Sequence, residues 1–248
     1  MVDVNPFRLP RTVEPERYEI TLRPDLDGAR FTGEEKVTVK VSEPVTEIRL
    51  NSAELEILSA EVIDDAGNQV QGTVSHDEEA EVVTISLAET IQPGSSVLHL
   101  TFTGILNDKL RGFYRSTYTD DQGTERVIAT TQFEATDARR AFPCWDEPDF
   151  KSVFAVTLIV DDEFAAFSNA AERQVTALGD NKRQIEFEDS MKMSTYLVAF
   201  VVGPLTISDT VDVDGVPLRV ACVPGRERLS SFALDVGAAS LRLSLIHI

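Results

Sequence analysis

The chain has 248 residues, 42% of them apolar and 26% charged, which suits a folded protein with a sizeable core. With 42 acidic against 23 basic residues the net charge is −19. The basic residues are scattered, so neither a nucleic-acid partner nor an anionic membrane surface is expected. Two cysteines, Cys144 and Cys222, make no disulfide framework and suit a reducing compartment. Met1–Pro6 lacks a basic patch followed by an apolar stretch, so no signal peptide is visible. The longest apolar runs, such as Tyr196 to Val202, are far too short to span a bilayer. A soluble, cytoplasmic protein is the expectation.

In chain order, period-2 alternation dominates. Tyr18, Ile20 and Leu22 alternate with Glu19, Thr21 and Arg23, and Val37, Val39 and Val41 alternate with Lys36, Thr38 and Lys40. The same pattern returns at Val83/Ile85/Leu87, Leu98/Leu100/Phe102, Ile185/Phe187 and Leu218/Val220/Cys222. Each has one apolar and one polar face, as an antiparallel strand on a core requires. Turn chemistry separates them at Asp25–Gly28, Asp65–Asn68, Pro93-Gly94, Gly179–Asn181 and Asp214-Gly215. The fold class predicted is all-β, a sandwich or saddle of large antiparallel sheets.

Only the end turns helical. After the breaker Pro224-Gly225, apolar residues at Leu229, Phe232, Val236 and Ala239 form a helical stripe. Residues 7–225 are expected to form one domain and 226–248 to begin another. Residues 243–248 (Leu-Ser-Leu-Ile-His-Ile) break the composition of that helix and read as a non-native tail after a truncation.

The run Thr131–Pro148 fits neither period. It packs the only Trp, one of the two Cys, two Pro, an Arg pair and four acids into one stretch, and it predicts a strand end entering an ordered loop, where scaffolds tend to place function. The histidines, His76, His99 and His247, lie far apart in the chain, and no His-Glu-x-x-His or Cys-x-x-Cys is present; a zinc site made from these residues alone is not expected. His76 is expected in an acidic turn, and His99 on a solvent-facing strand position. Cys144 reads as a packed thiol rather than a nucleophile. Glu134, Asp137, Asp146, Glu147 and Asp149 cluster near Arg139, Arg140 and Lys151, and pairing or solvation accounts for most such acids.

Gln132-Phe133-Glu134-Ala135-Thr136-Asp137-Ala138-Arg139-Arg140-Ala141-Phe142-Pro143-Cys144-Trp145-Asp146-Glu147-Pro148 resembles the hallmark of the N-terminal domain of M1-family zinc aminopeptidases, the puromycin-sensitive and tricorn-interacting-factor subgroup in particular. Four more stretches agree in order: Leu9 to Thr38, Gly112–Ser116, Met193–Gly203 (as a late core strand) and Phe232–Ala238. The resemblance covers roughly residues 7 to 242. It implies a saddle-shaped antiparallel N-domain with the helix after 225 opening the catalytic domain. It also implies that Glu134 binds the free α-amine of a peptide substrate, that Gln132 lines the pocket for the first side chain, and that the Glu134–Ala135 peptide is cis. Arg139, Arg140, Trp145, Asp146 and Glu147 are expected to hold the loop. The family's zinc-binding motifs are missing from these residues, so zinc is expected only in a full-length enzyme, with ligands outside this chain, and the 248 residues alone are expected to be inactive. The partners implied are peptides with a free N-terminus and the chain's own catalytic domain. The alternative is a non-catalytic relative that uses the same sandwich as a protein-interaction module.

Overall fold

The structure, a computed structural model, describes residues 8–247. Phe7, where the expected β domain begins, and Ile248, which ends the expected foreign tail, lie outside the described residues. The strands, in order, are β1 (Val13–Asp25), β2 (Arg30–Val41), β3 (Val45–Asn51), β4 (Leu55–Ile63), β5 (Gln69–Asp77), β6 (Val82–Ile91), β7 (Gly94–Ile105), β8 (Gly112–Thr119) and β9 (Glu125–Gln132). After the hallmark loop follow β10 (Val153–Asp161), β11 (Ala165–Phe167), β12 (Glu172–Gly179), β13 (Lys182–Phe187) and β14 (Val201–Gly203). Four short strands then lead to the helix: β15 (Thr206–Ile207), β16 (Val211–Val213), β17 (Val216–Leu218), β18 (Ala221–Cys222) and α1 (Ser230–His247).

Ten strands form one sheet in the order β12-β13-β10-β1-β2-β7-β4-β5-β6-β3, and β11-β14-β9-β8 form a second. The alternation seen in the sequence sets the faces. Tyr18, Ile20 and Leu22 of β1, Val37 and Val39 of β2, and Leu98, Leu100 and Phe102 of β7 are all buried, while their neighbours point outward. Position 33 falls on the same inner face by parity, and it is a glycine there because a Cβ would run into the Phe102 ring. One ladder departs from the antiparallel expectation. β1 pairs with β10 in parallel, from Arg17 opposite Val153 to Leu22 opposite Leu158. Alternation specifies which face is buried but not strand direction, and a parallel neighbour needs only a long connection, here everything between β1 and β10.

Rings join strands within and between the sheets. Tyr18 of β1 stacks on Phe154 of its ladder partner β10 at 4.9 Å, and Phe31 of β2 meets Phe113 of β8 in the second sheet at 5.3 Å. Phe133 and Phe142 of the loop close the cluster against Phe200 and Tyr18. Such pairs add about 0.5–1.5 kcal/mol each beyond their buried area, so the hallmark loop is part of the core at its aromatic positions.

Three further expectations are corrected. Met193–Gly203 is a strand only at Val201–Gly203; before it runs one 3-10 turn, Thr195–Leu197, because the hydroxyls of Ser194 and Thr195 bond to the hallmark loop instead of leaving the backbone to a ladder. His76 lies on β5 rather than in a turn. The helix forms, but its expected stripe is exposed, Phe232 at 73% and Leu229 at 54%. Its covered side is the one carrying Ala238, beside Gly237, whose neighbour is Leu218 of β17. The helix continues through Leu243 and Leu245. No helix among the described residues is long and apolar enough to cross a membrane.

Candidate functional site

β9 delivers the hallmark run to the rim of the smaller sheet and ends at Gln132. Phe133 then turns inward and is buried, whereas Gln132 and Glu134 are exposed. The two expected site residues meet: Gln132 Nε2 donates to the Glu134 carbonyl at 3.4 Å. The Glu134–Ala135 peptide is cis, as the resemblance implies. The Asp137 amide donates back to the Phe133 carbonyl at 2.9 Å, which closes the turn carrying Glu134. A 3-10 turn, Ala138–Arg140, follows directly.

Beyond it the loop is sewn to distant strands. Cys144 exchanges both backbone hydrogen bonds with Asn51 at the end of β3, at 3.0 and 2.8 Å. The Trp145 amide donates to the Tyr18 hydroxyl at 3.2 Å, and the Asp146 amide donates to Asn51 Oδ1 at 3.1 Å. Asp146, its side chain 1% exposed, accepts from Arg139 Nε at 3.0 Å and from Thr195 Oγ1 at 2.7 Å. Ser194 Oγ donates to the Pro148 carbonyl at 2.6 Å.

The acids of this region divide sharply. Asp137 pairs with Arg140 at 2.7 Å and Asp146 with Arg139. Glu147 pairs with Arg8 and accepts the Leu9 amide at 2.6 Å. Asp149 pairs with Arg8 at 2.7 Å and with Arg11. Arg8 and Arg11, from the start of the chain, thus take the role the sequence suggested for Lys151. Among the described residues Glu134 has no ion-pair partner, so its exposed carboxylate keeps its acceptor capacity free for a cation with several N–H donors.

Other groups are accounted for by packing. Cys144 is fully buried; burial, then the negative charges of Asp146 and Glu35, push its thiol well above the ordinary range against the opposing pull of Arg139. It is a packed thiol here, not an activated one. His99 sits between two carboxylates, Nδ1 3.0 Å from Glu61 and Nε2 3.0 Å from Glu34. Among the described residues no three His, Cys, Asp or Glu side chains are arranged to hold a metal ion, so the residues present do not fit a zinc site.

Three features escaped the sequence reading. Glu54 and Glu81 clamp Arg139 and Arg140 from other parts of the chain. Ser194 and Thr195 strap the loop from behind. Glu35 is fully buried on the inner face of β2, and neither carboxyl oxygen has a hydrogen-bond partner among the described residues. Only the last left a readable signal, since it shares the parity of Phe31 and Val37 on the core face.

Residues 14–197 match the sequence profile of the peptidase M1 N-terminal domain. The chain belongs to the peptidase M1 family. It is 44% identical over 240 residues to Aminopeptidase M1-D of Oryza sativa subsp. japonica, covering 95% of this chain and 27% of that protein. It is 41% identical over 231 residues to the puromycin-sensitive aminopeptidase of Caenorhabditis elegans, covering 92% of this chain and 24% of that protein. Against Aminopeptidase 2 of Candida albicans the identity is 40% over 235 residues, 94% of this chain and 25% of that protein. The chain therefore spans about a quarter of the length of these M1 relatives, and what matches is the N-terminal β domain.

Proposed function

We propose that these residues are the N-terminal β domain of a zinc aminopeptidase that releases N-terminal residues from peptides, and that Glu134 anchors the substrate's free α-amine while Gln132 borders the pocket for its first side chain. The observation that carries the reading is the carboxylate of Glu134, without an ion-pair partner among the described residues and held just past the end of β9 on a loop whose other acids are engaged. An α-ammonium is a compact cation with three donors, and an exposed, preorganised carboxylate is the complementary acceptor. Binding the terminal amine selects exopeptidase over endopeptidase cleavage, because a mid-chain amide offers no such cation. Zinc would be held by residues outside these 248, in the catalytic domain that Arg226 onward is proposed to open. The proposed setting is cytoplasmic.

The test uses a polypeptide carrying this chain with its catalytic domain. Glu134→Ala should lower kcat/KM for an aminoacyl arylamide by about 10- to 100-fold, the worth of a charge-assisted hydrogen bond or two, mainly through KM. Unchanged kinetics would remove Glu134 from amine binding. A reading frame that continues past residue 242 without Gly-x-Met-Glu-Asn and His-Glu-x-x-His would instead favour the interaction-module alternative.

A further inference from the structure

Two glutamates outside the hallmark run reach into it. Glu54 follows β3, and Glu81 closes the turn between β5 and β6. Both hold left-handed backbone, φ 59° and 52°, a conformation uncommon for a residue with a side chain. Their carboxylates converge on the Arg pair. Glu81 Oε2 lies 3.1 Å from Arg139 Nη1, and Glu81 Oε1 pairs with Arg140 Nη2. Glu54 Oε1 lies 2.8 Å from Arg140 Nη1 and 3.1 Å from Arg111 Nη2. The arginine side chains are largely covered, 12% exposed for Arg139 and 9% for Arg140. Backbone bonds run alongside: the Ser52 amide donates to the Glu81 carbonyl and the Ala53 amide to the Arg139 carbonyl, both at 3.0 Å.

The connection to Glu134 is short. Arg140 Nε holds Asp137 Oδ1 at 2.7 Å, the Asp137 amide holds the Phe133 carbonyl, and Glu134 is the next residue. Gly112, at the start of β8, completes the fit, because a Cβ there would stand 2.7 Å from Arg140 Cβ. We propose that Glu54 and Glu81 are positioning residues for Glu134. By fixing Arg139 and Arg140 they fix the 3-10 turn, and the turn fixes the direction of the proposed amine-binding carboxylate. The idea rests on the amine-anchor reading for its functional half only.

The experiment has two arms. On this chain, backbone amide exchange is measured for Glu81→Gln, Glu81→Gly and Glu54→Gln. Glycine suits the left-handed backbone better than glutamate does, so any loosening in Glu81→Gly comes from the missing carboxylate. Protection at Asp137, Ala141 and Phe142 is expected to fall about tenfold or more in all three variants, with that of β2 and β7 unchanged, and Glu81→Asp should recover part of it. Unaltered protection at those three amides overturns the clamp. In the polypeptide carrying the catalytic domain, Glu81→Gln should raise KM more than it lowers kcat. In a Glu134→Ala background it should then cost much less, since coupled residues are non-additive. Full additivity overturns the positioning role. If Glu134→Ala alone changes nothing, the amine reading fails while the exchange arm still decides the clamp.

Discussion

Glu35 offers the most direct test of the packing. It lies opposite Ile20 on β1 and Leu100 on β7, fully buried, with neither oxygen hydrogen-bonded to any described residue. Burial raises its carboxyl well above the usual 4.5, so the folded chain keeps a proton that the unfolded chain releases. The sign follows from linkage. Stability attributable to this group is fully present below about pH 4.5 and is lost as pH climbs toward the raised folded value. Within that window the loss is up to about 1.4 kcal/mol per pH unit. Glu35→Leu removes the titration and replaces an orphaned polar group with an apolar one of similar size. Urea denaturation of both proteins, from about pH 5 to 7, should show the variant gaining on the parent steadily as pH rises. Glu35→Gln should abolish the slope but recover less stability, because its amide stays unpartnered. The depressed carboxyls elsewhere, such as Asp25 beside the Gly28 amide and Asp120 beside the Thr124 amide, act at acid pH and cancel in the difference. A parallel pair of pH profiles for Glu35→Leu and parent would refute the reasoning.

Arg139→Met should cost about 3–5 kcal/mol and lower Tm by roughly 10 °C, because it strands the buried Asp146 carboxylate; a calorimetric loss below about 1 kcal/mol would show that the pair is not desolvated. Gly33→Ala should destabilise by about 1–3 kcal/mol, and adding Phe102→Leu should recover part of that in chemical denaturation, since the Phe102 ring is what the new methyl meets. With a thiol-alkylating reagent read by mass spectrometry, half-buried Cys222 should label in the native protein. Cys144, buried and with its thiol shifted up by burial, should label only under denaturant.

Much of the scaffold was legible because its strands are covered on one side. A face that must be apolar every second residue writes itself into the sequence, as Tyr18-Ile20-Leu22 and Leu98-Leu100-Phe102 do. Glu35 could have been read the same way, by extending the parity of Val37 back along β2. The parallel β1–β10 ladder could not. Nor could the strap at Ser194 and Thr195, which looked like part of an apolar strand until its hydroxyls found Pro148 and Asp146. The hallmark run is the extreme case. Its shape is set by Asn51, Tyr18 and Glu81, residues far back in the chain, so no local periodicity could report it, and only its resemblance to known sequences singled out Gln132 and Glu134.

An unpaired acid would mean little by itself on a chain with a net charge of −19, where many acids must lack partners. What gives Glu134 its meaning is how the nearby cations are spent. Arg139 is engaged by Asp146 and Glu81, and Arg140 by Asp137, Glu54 and Glu81. With Arg111, which shares Glu54, three guanidinium charges thus face four carboxylates, and the local balance is negative before Glu134 is counted. A fifth acid beside them gains no compensation from its own loop and strengthens the attraction for an external cation. The arrangement therefore separates two tasks that the acid-rich sequence leaves mixed. Paired carboxylates hold the loop rigid, and the remaining one is left with its charge directed outward, where a peptide's terminal ammonium is the partner proposed for it.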